Sequence, residues 1–250
     1  MLESLSQPVI FAHRGASAHA PENTIAAFEM ALAEGADGIE LDVKLSTDSH
    51  VVVIHDMTVD RTTGTHGRVK DLSLADLRVL DAGSFFSEKF QHEKIPTLEE
   101  VFEAVGKRTF INVELTNYNS PRDHLVESVC TLVKRFGLQE HVMFSSFFAL
   151  NLSKAQRLLP EVPRALLAVN GLLGAWARSF GFAFGSYQAL HPYLKDTTHQ
   201  QVQRVHRLKR RVHVWTVNAA EDMRRLFHWD VDGIFTDDPG LAVRVREESR

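Results

Sequence analysis

Short apolar runs alternate with amphipathic stretches along the whole chain. The runs at 8–12 (PVIFA), 37–43 (DGIELDV), 109–114, 141–145, 163–168, 182–187, 212–217 and 232–235 have the length and character of buried strands. Residues 22–34 place Ile25, Phe28, Ala31 and Leu32 on one helical face, and Gly35 follows as a C-terminal cap. Helices are also predicted at 97–105, 122–136 and 239–248. The first of these opens on Thr97 after Pro96, with Glu100 placed to complete a capping box.

One further run, 51–55 (VVVIH), follows strand two too closely for a parallel crossover, which needs about a dozen residues. It is predicted to fold back as a hairpin through residues 47–50, leaving 56–96 as an insertion before the next helix. Setting that run aside, eight strands each followed by a helix in 250 residues predict an α/β fold, a (β/α)8 TIM barrel with a small insertion after strand two. A doubly wound sheet is the alternative, but no glycine-rich phosphate fingerprint opens a helix after strand one. No linker or repeat divides the chain, so one domain over 1–250 is expected.

Composition narrows the function classes. At 44% hydrophobic and 24% charged, the chain is neither disordered nor a low-complexity scaffold. One cysteine, Cys130, excludes an internal disulfide framework and a cysteine-based zinc site. It lies in an apolar helical run, where a buried, inert thiol is expected. A net charge of −4 with mixed signs argues against nucleic acid, and Lys209, Arg210 and Arg211 read as a solvated helix end. The longest apolar stretch, 165–187, is broken by Asn170, Arg178 and glycines and falls short of the ~20 residues a membrane span needs. No signal peptide or amphipathic anchor stands out. A cytoplasmic protein without stable membrane insertion is expected, and homo-oligomerisation is left open.

Barrel sites form at the C-terminal ends of the strands, and the polar residues collect there. Strand one ends in His13-Arg14-Gly15, strand two carries Glu40 and Asp42, strand three ends in Asn112-Val113-Glu114, and strand eight ends in Thr236-Asp237-Asp238. Charges inside apolar strands are costly unless paired or bound to metal. Alternation puts Glu40 and Asp42 on one face, and a turn near 48–49 sets His55 roughly opposite Asp42. Glu40, Asp42 and Glu114 suit Mg²⁺, Ca²⁺ or Mn²⁺, and zinc held by histidine and carboxylate stays open. His13 and His55 flank the cluster and suit an acid/base pair, with Arg14 as a forked donor to phosphate. These are parts for cleaving a phosphodiester. Singly, each residue has a structural explanation, such as Arg14 pairing Glu40. Five such charges at one rim are harder to explain that way. His191, beyond strand six, and Trp215, at the end of strand seven, are substrate-wall candidates. The other polar-segment histidines read as surface. Phe85, Phe86 and Phe90 read as the insertion's own core.

The chain resembles the glycerophosphodiester phosphodiesterase family, cytoplasmic bacterial type. The resemblance rests on His13-Arg14-Gly15, Pro21-Glu22-Asn23-Thr24, Gly38-Ile39-Glu40-Leu41-Asp42-Val43, Val53-Ile54-His55-Asp56, Asn112-Val113-Glu114, Trp215-Thr216-Val217-Asn218 and the stretch from Asp232 to Pro239. It implies a metal-dependent hydrolase, with His13 and His55 as acid and base. Glu40, Asp42 and Glu114 are the implied metal ligands, and Arg14 the implied phosphate contact. The substrate implied is a small glycerophosphodiester, cleaved to glycerol 3-phosphate and an alcohol in glycerophospholipid and glycerol metabolism. One position departs from the family, which carries a lysine two residues after the third acidic ligand. Here that residue is Thr116, and Lys44, on the Glu40/Asp42 face, is the candidate replacement cation. Lysophospholipase D-like or cyclising action on lipids is the alternative activity, and a non-catalytic barrel is a third.

Overall fold

The computed structural model describes residues 5–249. Its strands are β1 (Val9–Ala12), β2 (Gly38–Leu45), β3 (Val51–Val53), β4 (Phe110–Leu115), β5 (Val142–Ser146), β6 (Arg164–Ala168), β7 (Ala189–Pro192), β8 (Arg211–Val214) and β9 (Gly233–Thr236). They form one sheet, in which β1 pairs with both β9 and β2 and so closes a ring of eight parallel strands. β3 lies outside the ring, antiparallel to β2. This is the TIM barrel that the alternating pattern predicted.

Alternation decides what the ring encloses. Ile39, Leu41 and Val43 of β2, Ile111, Val113 and Leu115 of β4, and Val212 and Val214 of β8 face outward into the core beneath the helices. The opposite set faces inward. Its lower part is apolar: Val9, Phe11, Phe110, Met143, Ala165, Ala189 and Phe235 pack the barrel interior. Above them the same faces carry Glu40, Asp42, Asn112, Glu114, His191 and His213. The helices are fixed as the sequence predicts. Thr97 caps the helix Leu98–Val105 by accepting from Glu100 N, and Glu100 Oε2 accepts from Thr97 N at 2.8 Å. Cys130 is buried in the helix Leu125–Phe136, and burial pushes its thiol up to about 12, as an inert side chain requires.

Four expectations are corrected. Residues 182–187 are not a strand; Phe182–Phe184 is a helical turn, and the strand is β7, at Ala189–Pro192. The aromatic run suggested β structure, but Leu172, Trp176, Phe180 and Phe184 recur every four residues, a helical spacing, and all are exposed. The segment after β6 therefore presents an apolar helical face where none was anticipated. His191 consequently lies on β7 rather than beyond a strand, and is fully buried. The hairpin register pairs Val43 with Val53, so Ile54 stands opposite Asp42, one residue from the expected His55. Finally, Phe85 and Phe86 are exposed beside Phe90. Val59, Val69, Leu77, Ala82 and Ile95, packed on Val52 and Ile54, make the insertion's core instead.

Candidate active site

A cavity of about 80 Å³ opens at the C-terminal ends of the strands, lined by His13, Arg14, Glu40, His55, Asn112, Glu114, Phe147, Leu167, His191, Trp215 and Phe235. One side is charged and the other apolar. A shallower groove of about 420 Å³ lies alongside and shares His13 and Arg14 with it.

The chain reaches this position through a tight loop after β1. Arg14 adopts φ 58° and Gly15 φ 82°, and a Cβ on Gly15 would sit 2.6 Å from the backbone of Ala27. Only glycine fits there. The turn aims the Arg14 backbone N–H at Glu40 Oε2 (3.0 Å). Its guanidinium donates to Glu22 (3.0 Å) and lies 3.4 Å from Asp42 Oδ2. So Arg14 meets Glu40 through its main chain, and its side chain is held by two other carboxylates.

Ligand atoms of Glu40, Asp42 and Glu114 all lie within 4.8 Å of one another. Burial, then Asp42 and Glu114, drive Glu40 well above the usual carboxylate range. Burial and Asp42 push Glu114 up to about 8. Burial would also raise Asp42, but Arg14, His55 and Asn23 outweigh it and hold its pKa below the usual value. Asn23 donates to Asp42 Oδ2 at 3.0 Å and Tyr118 to Glu114 Oε1 at 2.7 Å, while Glu40 Oε1 is buried without a partner. Three crowded oxygens that repel one another, one of them unsatisfied, fit a hard divalent cation.

The histidines are oriented alike. His13 Nδ1 lies 2.7 Å from Asp237 Oδ1, and Asp237 also accepts from Ser17 and Asn218. His55 Nδ1 lies 2.7 Å from Asp56 Oδ1. Asp56 is held in turn by Arg61, which forks onto Glu22 at 2.6 and 2.8 Å. Burial raises Asp56, but Arg61 and His55 bring it down to about 2, so it stays ionised behind the imidazole. Both histidines thus keep Nε2 free while lining the cavity. Lys44 Nζ donates to Thr116 Oγ1 at 2.6 Å, and Thr116 donates to Val43 O. Trp215 walls the cavity with its Nε1 donating to His191 O at 2.8 Å.

The glycerophosphoryl diester phosphodiesterase family model matches residues 13–241, which contain every one of these residues. The chain belongs to that family. A glycerophosphodiester phosphodiesterase from Caldanaerobacter subterraneus subsp. tengcongensis is 42% identical over 238 residues, covering 95% of this chain and 97% of that protein. A solved Oleispira antarctica phosphodiesterase, in complex with the product sn-glycerol-3-phosphate, superposes with a TM-score of 0.89 at 30% identity over 98% of each chain. The structure of a glycerophosphodiester phosphodiesterase from Agrobacterium tumefaciens gives 0.82 at 30% identity over 94% of this chain and 99% of that one.

Within this family member, sequence reasoning missed the groups that hold the site. Asp237 and Asp56 were visible as motif residues but had no role. The adjacency of His55 and Asp56, and the Thr-Asp-Asp end of the last strand, were the available signals. Asn23 and Asn112 likewise stood inside motifs without a role, and Tyr118 left no signal, because it acts through a contact that only the folded barrel makes.

Proposed function

We propose that the protein hydrolyses glycerophosphodiesters to sn-glycerol 3-phosphate and an alcohol, with a divalent metal held by Glu40, Asp42 and Glu114 and with His13 and His55 moving the protons. Glycerophosphodiester phosphodiesterase activity follows from family membership and from relatives so named. The finer reading is carried by one observation: Glu40, Glu114, both histidines and Arg14 line two adjoining cavities, with Asp42 completing the carboxylate cluster beside them.

Glu40, Asp42 and Glu114 would hold the divalent ion, which would supply positive charge against the phosphoryl oxygens as negative charge builds there. Arg14 adds a donor to the same group. His13 borders both the inner cavity and the outer groove, where the alcohol departs, so its Nε2 gives the leaving oxygen a proton. His55 borders the inner cavity, and its Nε2 takes the proton of the attacking oxygen. Asp237 and Asp56 each hold a ring by Nδ1 and so fix its orientation. The lipid-directed alternative is not favoured, because the family and the Caldanaerobacter relative are named for glycerophosphodiesters. No helix among the described residues is long and apolar enough to cross a membrane. A cytoplasmic setting is part of the proposal, supported by the single, buried, free Cys130.

Release of glycerol 3-phosphate from glycerophosphocholine, glycerophosphoethanolamine and glycerophosphoglycerol tests the reading. Release with Mg²⁺, Ca²⁺ or Mn²⁺, abolished by EDTA, is expected. No release from any of them, by folded protein with metal bound, overturns it. Lys44 enters as the cation beside Thr116. Its ammonium is buried in the field of Asp42 and Glu114, on the face shared with the metal ligands. Lys44→Ala should lower kcat/KM about 10–100-fold, the scale of a charge-assisted hydrogen bond. Unchanged kcat and KM would remove Lys44 from the site.

A further inference from the structure

Opposite the metal cluster stands a feature the mechanism does not use. The ring order is β1, β2, β4, β5, β6, β7, β8, β9, so β7 lies four strands from β2 in either direction. β2 carries Glu40 and Asp42; β7 carries His191. His191 lines the cavity and is fully buried. Its Nε2 lies 3.0 Å from Nδ1 of His213, a second fully buried imidazole on β8, which sequence reasoning passed over. His191 packs edge-on to Phe235 and His213 against Phe11, so both rings are fixed. His191 Nδ1 has no protein partner. An unpaired buried nitrogen costs free energy; His213 Nε2 is unpaired too, but of the two rings only His191 lines the cavity, where a ligand could satisfy it.

We propose that the His191–His213 pair reads the terminal hydroxyl of the substrate's glycerol moiety, with His191 Nδ1 as the contact and His213 as its positioning residue. This deepens the phosphodiesterase reading and rests on it. A glycerophosphodiester with its phosphate at the β1–β2–β4 side extends its carbon chain across the barrel. The apolar wall of Leu167, Trp215 and Phe235 faces the C–H groups, and the far hydroxyl arrives at β7. About 80 Å³ has room for roughly five to eight water-sized groups, and glycerol has six heavy atoms. Burial pushes His213 down to about 4 and His191 well below its usual value, so the pair is uncharged near neutrality. A single N–H then lies between the two rings. If His191 donates, its Nδ1 is an acceptor; if His213 donates, His191 Nδ1 carries a proton and is a donor. A hydroxyl satisfies either arrangement. A charged group in the same place would find no counter-charge from the pair.

The test compares glycerophosphocholine with the analogue in which propane-1,2-diol replaces glycerol. That analogue lacks only the terminal hydroxyl and keeps the one beside the phosphoester. The wild-type protein should prefer glycerophosphocholine about 10–100-fold in kcat/KM, because the analogue leaves a buried nitrogen unpaired. His191→Gln keeps a polar group toward His213 and loses the one at Nδ1. It should bring the preference to within about threefold, mainly by raising KM for glycerophosphocholine. His213→Asn keeps an amide where Nδ1 stands and should retain the preference; His213→Leu should lose it. A merely structural role would depress both substrates equally and leave the ratio intact, and that result overturns the proposal. So does a wild-type protein that does not discriminate. Should His213→Leu fail to fold, His191→Gln decides. No turnover of either substrate by the wild-type protein with any divalent ion would instead defeat the phosphodiesterase reading, and this proposal with it.

Discussion

Replacing His13 with alanine should lower turnover of glycerophosphocholine by ~10²–10⁴ and cost far less on the p-nitrophenyl diester of glycerol 3-phosphate. The asymmetry follows from where the ring stands. Its Nδ1 is tied to Asp237 at 2.7 Å, and the residue borders both the inner cavity and the outer groove. A choline alkoxide is a poor leaving group and needs a proton as the bond to phosphorus breaks. A p-nitrophenolate departs without one. His55→Ala should behave differently, losing a similar factor on both substrates, because activating the attacking oxygen does not depend on what leaves. Steady-state kinetics of the two variants on the two substrates make the measurement. Equal losses for His13→Ala on both would take the acid role from it, and near-normal activity in either variant would remove that histidine from the chemistry.

The two aspartates behind these rings hold both imidazoles in place. Asp237 accepts from Ser17 and Asn218 as well as facing His13, so its carboxylate cannot swing away. Burial raises Asp237, but His13, Asn218 and Ser17 outweigh it and hold it below the usual carboxylate range. Asp56 is fixed through Arg61 and Glu22, and Glu22 also holds Arg14. One chain of polar contacts therefore runs from His55 to Arg14. Its members are spread from residue 14 to residue 61, and the insertion after β3 supplies Arg61. The insertion thus does more than cover the barrel: it locks the ring of His55.

What could be read from the chain was whatever depends on local period. Glu40 and Asp42 share a face because strands alternate, and Glu114 joins them because β4 pairs with β2 so that Asp42 stands beside it. The hairpin was legible too, but its register was off by one, because a turn's centre is read less sharply than its existence. His55 still reaches the cavity, since the chain leaves the ladder after Val53 and bends inward. The run at 182–187 misled because aromatic content favours strands, while the helical spacing of Leu172, Trp176, Phe180 and Phe184 shows only over a longer stretch than the run itself. Asp237 is 224 positions from His13, and His213 is 22 from His191. Neither pairing has any local trace; closure of the barrel makes them.

The second large effect belongs to the carboxylates, and pH exposes it. In the metal-free protein Glu114 is pushed up to about 8 and Glu40 is also raised, because burial and neighbouring carboxylates oppose their ionisation. Below that value a proton occupies Glu114, and an incoming divalent ion must displace it. Affinity for Mg²⁺ or Mn²⁺ should therefore fall by up to about tenfold for each pH unit below ~8 and level off above it. Stability of the metal-free protein runs the opposite way. An acid whose folded value is raised stabilises the folded state fully below its unfolded value, and that contribution is lost as pH rises toward the folded one. The metal-free protein should lose stability between about pH 5 and 8, and a saturating divalent ion should restore it, so the gain in Tm is largest at pH 8. Glu114→Gln removes the competing proton. It should weaken binding and flatten its pH dependence together, with activity falling at fixed metal concentration. Calorimetric metal titrations from pH 6 to 9 on the wild type and this variant separate the possibilities. An affinity independent of pH in the wild type would mean that the ion does not replace a proton at this cluster, and an unchanged titration in Glu114→Gln would exclude Glu114 as a ligand.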